Sequence, residues 1–124
     1  MRIFKNTWFT RFAGNEGITD GELREMVNQL ESGQADADLG GGVYKIRLAR
    51  PGEGKSGGYR VIVFFMSEKR TFYHYAFPKS SRGNIDQGEL RSFKRIAKTK
   101  LAMSDRELAD AIIAGELIEI EGAV

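Results

Sequence analysis

The chain has 124 residues, no cysteine and a single histidine, which excludes a disulfide scaffold, thiolate chemistry and a zinc centre of Cys/His ligands. With 41% hydrophobic and 29% charged residues it reads as one soluble domain, residues 1–124, and no run approaches the ~18 apolar residues of a membrane span. The net charge of +2 conceals a segregation: residues 45–100 hold 14 Lys/Arg against four Asp/Glu, the remainder five against 13. Blocks of this kind point to a basic surface for a polyanion, with acidic flanks that are solvated or meet something basic. The N-terminus has no apolar run of signal-peptide length, and together with the lack of cysteine this predicts a cytoplasmic address.

Arg2 to Phe4 reads as a short edge strand. Thr7 to Ala13 fits a short helix with Trp8, Phe9 and Phe12 turned inward, ended by Gly14-Asn15-Glu16-Gly17; Trp8 is expected to be a core anchor rather than a ligand platform. Thr19-Asp20-Gly21-Glu22 forms a capping box. Behind it Leu23, Met26, Val27 and Leu30 fall at i, i+3, i+4 and i+7, one stripe for packing on a sheet. Ser32 and Gly33 stop this helix, and residues 34–42 read as a polar connection ending in three glycines.

The chain is organised around residues 43–66. From Tyr44 to Leu48 apolar and basic residues alternate, the period-2 pattern of a half-buried strand. Tyr59 to Met66 is richer in β-branched and aromatic residues and predicts a more deeply buried strand. The eight residues between hold one proline, four glycines and Lys55, a loop composition. Two strands thus carry Lys45, Arg47, Arg50 and Arg60 toward one basic loop. Ser67 to Arg70 reads as a hairpin loop and Thr71 to Phe77 as a third antiparallel strand, ended by Pro78. Asp86 is expected to cap a helix to about Leu101, with Leu90, Phe93, Ala97 and Leu101 inward and Arg91, Lys94, Arg95 and Lys98 outward. Ser104-Asp105-Arg106-Glu107 is a second capping box, opening a helix to Ala114, and Leu117 to Ile120 reads as a short edge strand. The fold class is α+β, a small antiparallel meander flanked by N-terminal and C-terminal helices.

Gly54-Lys55-Ser56 looks like the end of a phosphate-binding P-loop, but the required first glycine falls at Ala49 and a strand, not a helix, follows. A loop that lets Lys55 and backbone N–H groups approach a phosphodiester fits better. The only histidine, His74, lies within a strand, and no serine sits on an elbow motif, so there is no Ser-His-Asp set. The basic segment holds only Glu53, Glu68, Asp86 and Glu89, not the paired carboxylates of a metal nuclease. No metal or cofactor is therefore expected. Lysines and arginines remain, which can stabilise the charge of a phosphoryl transition state and act on RNA, whose 2′-hydroxyl supplies the nucleophile. His74 is the conventional acid–base candidate. A loop pairing Met66 with Thr71 sets it opposite Val63, a one-residue slip sets it with Arg60, and a structural role is the favoured reading.

Lys45-Ile46-Arg47-Leu48, the Gly-Lys-Ser-Gly-Gly-Tyr-Arg run of 54–60, and Phe77-Pro78-Lys79 with Asn84-Ile85 resemble the RelE/ParE toxin superfamily, in its RelE/HigB-like branch, over about residues 1–100. The resemblance implies the toxin of a bacterial type II toxin–antitoxin system, a RelE-like fold, and ribosome-dependent mRNA cleavage in the A site. Its implied partners are the ribosome, mRNA and a cognate antitoxin of helix–turn–helix type that covers the basic surface; oligomeric state stays open. Carried over by position, Arg60 matches the arginine on the scissile phosphate, and Lys45 and Arg47 match a basic pair of which one serves as base and the other as phosphate clamp. Lys79 matches a basic residue after the later strands, and Arg50, Lys55, Arg82 and Lys94 are left to bind RNA or the ribosome. RelE has a tyrosine near its C-terminus that stacks on the cleaved base; here no tyrosine follows Lys79, which leaves the general base open. Residues 104–124 exceed the minimal toxin and are expected as a helical extension at a dimer or antitoxin surface. The competing readings are a non-catalytic basic nucleic-acid-binding domain and a ParE-like gyrase inhibitor.

Overall fold

Runs rich in Val, Ile and Phe become strands and the amphipathic stretches become helices. Their order is β1 (Arg2–Asn6), α1 (Thr7–Glu16), α2 (Asp20–Glu31), β2 (Ala37–Gly40), β3 (Val43–Arg50), β4 (Gly58–Met66), β5 (Arg70–Pro78), α3 (Gln87–Leu101), α4 (Asp105–Ile113) and β6 (Leu117–Glu119). This computed structural model describes residues 1–50 and 57–121. Most of the glycine-rich loop, with Lys55, therefore lies outside the described residues. Both expected capping boxes form, Thr19 with Glu22 and Ser104 with Glu107, and the Asp86 cap proves to be a third, with Glu89; each pair exchanges side-chain and backbone bonds.

The strands form one sheet in the order β2-β3-β4-β5-β1-β6. The meander β3-β4-β5 is antiparallel as expected, and β1 joins β5 in parallel. Arg2–Asn6 is thus an interior strand, not an edge, because β6 comes back from the C-terminus to pair with its other side. The connection 34–42 also holds a strand. β2 pairs with β3, and Gly40, Gly41 and Gly42 make the turn at φ of 90, 63 and 82°, a left-handed path that only glycine takes without strain. The alternation Ala35-Asp36-Ala37-Asp38-Leu39 was the signal for it, weak because aspartate disfavours strands.

Strand alternation sends side chains to two faces, each with its own core. Ile46, Val61, Val63 and Tyr73 meet Phe9 and Ala13 of α1 and Leu23, Met26, Val27 and Leu30 of α2. Val43, Ile62, Phe64 and Phe72 meet Phe93 and Ala97 of α3 and Leu108 and Ala111 of α4. The α2 stripe packs as its spacing requires. Residues 104–120 take part in this packing: Leu108, Leu117 and Ile120 are at most 2% exposed, and the Ile120 N–H donates to the Ile3 carbonyl at 2.8 Å.

The β4–β5 hairpin has a three-residue turn in which Met66 pairs with Arg70, not Thr71. Val63 pairs with Tyr73 and Ile62 with Tyr75, so His74 is the extra residue of a bulge and lies opposite neither Val63 nor Arg60. The bulge turns His74 and Tyr75 toward the same face.

Candidate functional site

The site lies where β3 ends and β4 begins. Arg47 and Arg60 are directly paired across the two strands, and Lys45 pairs with Ile62 one pleat away. Since Ile62 faces the α3 side, Lys45, Arg47 and Arg60 share that face. Like charges placed opposite each other cost about 0.2–1 kcal/mol, so the pair needs support. Asp36, on the approach to β2, supplies it: its carboxylate accepts from the Arg47 backbone N–H and from Arg47 Nε at 2.7 Å. Arg60 is 7% exposed, sunk among its neighbours on a strand otherwise apolar.

A third arginine is fixed beside them. Arg82 donates from Nε and Nη2 to the Asn84 carbonyl at 3.0 and 2.8 Å, from Nη1 to the Tyr75 hydroxyl at 3.4 Å, and to both oxygens of Glu89. Its guanidinium lies 5.2 Å from the Phe77 ring centre, and Phe77 pairs with Arg60. The Arg82 bond holds Glu89 below the usual carboxylate range, and Glu89 in turn raises Arg82. Asn84 joins the two groups, its side-chain oxygen lying 3.4 Å from Lys45 Nζ. Lys79 is exposed at this same end, its N–H donating to Gly58 at 2.9 Å.

Lys45, Arg47, Arg60, Lys79 and Arg82 are therefore gathered at one end of the sheet. Arg50 is not with them. By alternation with Leu48 and Ile46 it faces the α1 side, where it lies 5.6 Å over the Tyr59 ring. Lys94 projects from α3 against the Gly40–Gly41 turn, at the other end of β3.

His74 is sealed away from the basic cluster. Its ring stacks on Phe64 at 4.7 Å, meets Phe93 edge-on at 5.1 Å, and has Asn6 Nδ2 3.3 Å from Nδ1. Burial, helped by the Lys100 charge, lowers its pKa to about 4, so the ring is neutral at physiological pH.

Three functional candidates escaped the sequence reading: Asp36, Tyr75 and Trp8. Trp8 is 42% exposed, which overturns its expected place in the core. Phe9 and Ala13 define the inward face of α1, and Trp8, about 100° round the helix from Phe9, falls to the side of that line. That spacing was legible in the sequence; the size of the indole argued against it. Trp8 instead stacks on Phe12 and leans on Tyr75, ring centres 5.3 and 4.8 Å apart.

Chemically, the cluster offers guanidinium and ammonium groups set for a phosphodiester. Among the described residues, no three His, Asp or Glu side chains converge as metal ligands would, and no helix is long and apolar enough to cross a membrane. A family model described as the RelE toxin of the RelE/RelB toxin-antitoxin system matches residues 1–120, beyond residue 100, where the sequence resemblance was drawn to a close. The chain belongs to this RelE toxin family, and is the member of a toxin–antitoxin pair that an antitoxin partners.

Proposed function

We propose that this toxin is an mRNA interferase, a ribosome-dependent endoribonuclease that cuts messenger in the A site. The observation that carries the reading is the cross-strand pair Arg47–Arg60 with Lys45 on the same face. An arrangement that costs stability and concentrates positive charge suits a phosphodiester, whose two non-bridging oxygens share one negative charge and gain a second in the transition state. The ribose 2′-oxygen attacks the adjacent phosphorus, the bond from phosphorus to the 5′-oxygen breaks, and a 2′,3′-cyclic phosphate and a 5′-hydroxyl end result. Arg60 binds the phosphate oxygens, with Arg47 as clamp. Guanidinium groups stay protonated, so the base is a lysine present as the neutral amine, Lys45 or Lys79: it takes the proton of the 2′-hydroxyl and, as the ammonium so formed, returns it to the leaving oxygen. Arg82, and Lys55 of the glycine-rich loop, contact the RNA backbone, with Arg50 and Lys94 outside the cluster left for ribosomal RNA. The protein works in the cytoplasm, and an antitoxin of helix–turn–helix type silences it by covering the basic face.

Primer extension on a reporter mRNA after brief induction tests this, comparing the wild type with Arg60→Ala. New 5′ ends within translated codons, lost in the variant, are expected. Growth arrest without such ends would point to a gyrase inhibitor, and neither arrest nor ends from folded protein to a plain nucleic-acid binder.

A further inference from the structure

The sole tryptophan stands on a flank of α1, where Trp8, Arg11, Phe12 and Asn15 fall at i, i+3, i+4 and i+7 and line one open concavity of about 170 Å³, Phe12 also packing on the core beneath. A single exposed ring needs no explanation, whereas a contiguous row of rings does. This one belongs to a continuous row. Tyr75 leans on Trp8, Trp8 stacks on Phe12 with an interplanar angle of 10°, and Phe12 meets Tyr59 edge-on at 5.8 Å. Arg82 donates to the Tyr75 hydroxyl at one end of the row, and Arg50 lies over Tyr59 at the other. The row thus girds the end of the sheet and begins at the basic cluster. Its position follows from topology: β1 pairs with β5 only as far as Tyr73, so α1 runs beside the rest of β5.

We propose that this concavity is a subsite for an unpaired nucleobase of the RNA strand, lying beside the cleavage site. The inference rests on the nuclease reading for its substrate. The four lining side chains divide the work by chemistry. Trp8 and Phe12 supply aromatic surface for a base of any identity, Arg11 a cation for the neighbouring phosphate, and Asn15 a donor and an acceptor for a base edge. Arg11 and Asn15 spend no side-chain bond or ion pair on other described residues. Cations at both ends and in the middle of the row favour a polyanion over an apolar peptide as its occupant.

Because Trp8 is the only tryptophan, its fluorescence reports this subsite alone. The test titrates antitoxin-free toxin with a short labelled 2′-O-methyl oligouridylate, which cannot be cleaved, and follows both indole emission and label anisotropy. Saturable quenching is expected. Trp8→Ala should weaken binding about tenfold, in line with loss of one base–aromatic stack; Trp8→Phe should stay close to wild type, and Arg11→Ala should flatten the salt dependence. An indole left unquenched, no binding at low salt, or undiminished binding by folded Trp8→Ala overturns the proposal, as does quenching by the antitoxin alone, which would make the groove a protein-docking surface. The two readings fail separately. Quenching by a toxin that leaves translated mRNA intact sinks the nuclease reading and spares the subsite. Cleavage of mRNA with an indole insensitive to RNA does the reverse.

Discussion

Strands β4 and β5 span two regions of opposite character. At the turn end, Phe64 stacks against His74 and Phe4 against Phe72, and α3 and α4 close over them. At the other end the same two strands present Arg60 opposite Phe77, and the neighbours are arginines tied to carboxylates. The sealed end holds even a half-buried histidine in neutral form. The charged end accepts a cross-strand pair of like charges. One pair of strands does both because each end is covered differently: α3 and α4 lie over the turn end, while only the first turn of α3 reaches the basic one. The sealed end supplies stability, and the charged end is free to hold groups in an arrangement that favours a phosphate more than it favours folding.

The comparison breaks first at Arg60. Arg60→Ala should lower mRNA cleavage by about 10²–10³-fold, the usual loss when a transition-state charge partner is removed, read by primer extension. Arg60→Lys keeps the charge but not the fork of donors and should restore only a small part. Full activity from Arg60→Ala would move the chemistry elsewhere.

The sealed end should respond in stability alone. Leu108 is fully buried in α4, against the α3-side core, and Leu108→Ala should cost about 3 kcal/mol in a denaturant titration. A loss below about 1 kcal/mol would mean that residues 104–120 are docked loosely, as an extension, and could be removed with the fold intact.

A pH series separates the two ends further. The His74 pKa falls from 6.5 to about 4 in the folded chain. Between those values the unfolded chain binds a proton that the folded one resists, so this contribution is complete above about pH 6.5, shrinks as the pH falls toward 4, and levels off below. Partial exposure brings the expected loss to about 2 kcal/mol. His74→Phe, which keeps the stacking on Phe64, should flatten that window in thermal melts and leave cleavage unchanged. A cleavage defect in this variant at neutral pH would return His74 to the list of acid–base candidates.

Much of the two cores and the helix ends was readable in the sequence, because it is written in periodicity and capping. The stripe Leu23, Met26, Val27 and Leu30, the capping boxes at Thr19 and Ser104, the cap at Asp86 and the β-branched run of β4 each specify local structure without help from distant residues. The corrections cluster where tertiary pairing decides. β1 is interior only because β6, more than a hundred residues later, pairs with it. The bulge at His74 cannot be read from alternation, since an inserted residue breaks the rule that alternation depends on. The basic pair Arg47 and Arg60 was legible as charge on two adjacent strands, and the register sets them face to face. The same alternation puts Arg50 on the reverse face, a parity that the run Lys45 to Arg50 already contained. Asp36 lies in a polar segment whose weak alternation does not fix a register with β3, so its partner Arg47 is set only by the β2–β3 pairing.

The smallest expected effect is also the one that asks what Asp36 does. Asp36→Asn keeps an oxygen for one of the two Arg47 bonds and removes the charge. If the carboxylate merely neutralises Arg47, the variant has a more positive cluster and should bind RNA more tightly and cut at least as fast. If it aims Arg47 at the phosphate, binding should hold or tighten while the rate falls roughly fivefold, in keeping with a half-exposed ion pair. The second outcome is expected, because the carboxylate grips both the backbone N–H and the side chain of Arg47 and so fixes the strand and the guanidinium together. The split between binding and rate, measured on the same preparation, decides between charge balance and aim. It would show whether the charged end of β3 and β4 is organised by its cations alone or by the acid that holds one of them still.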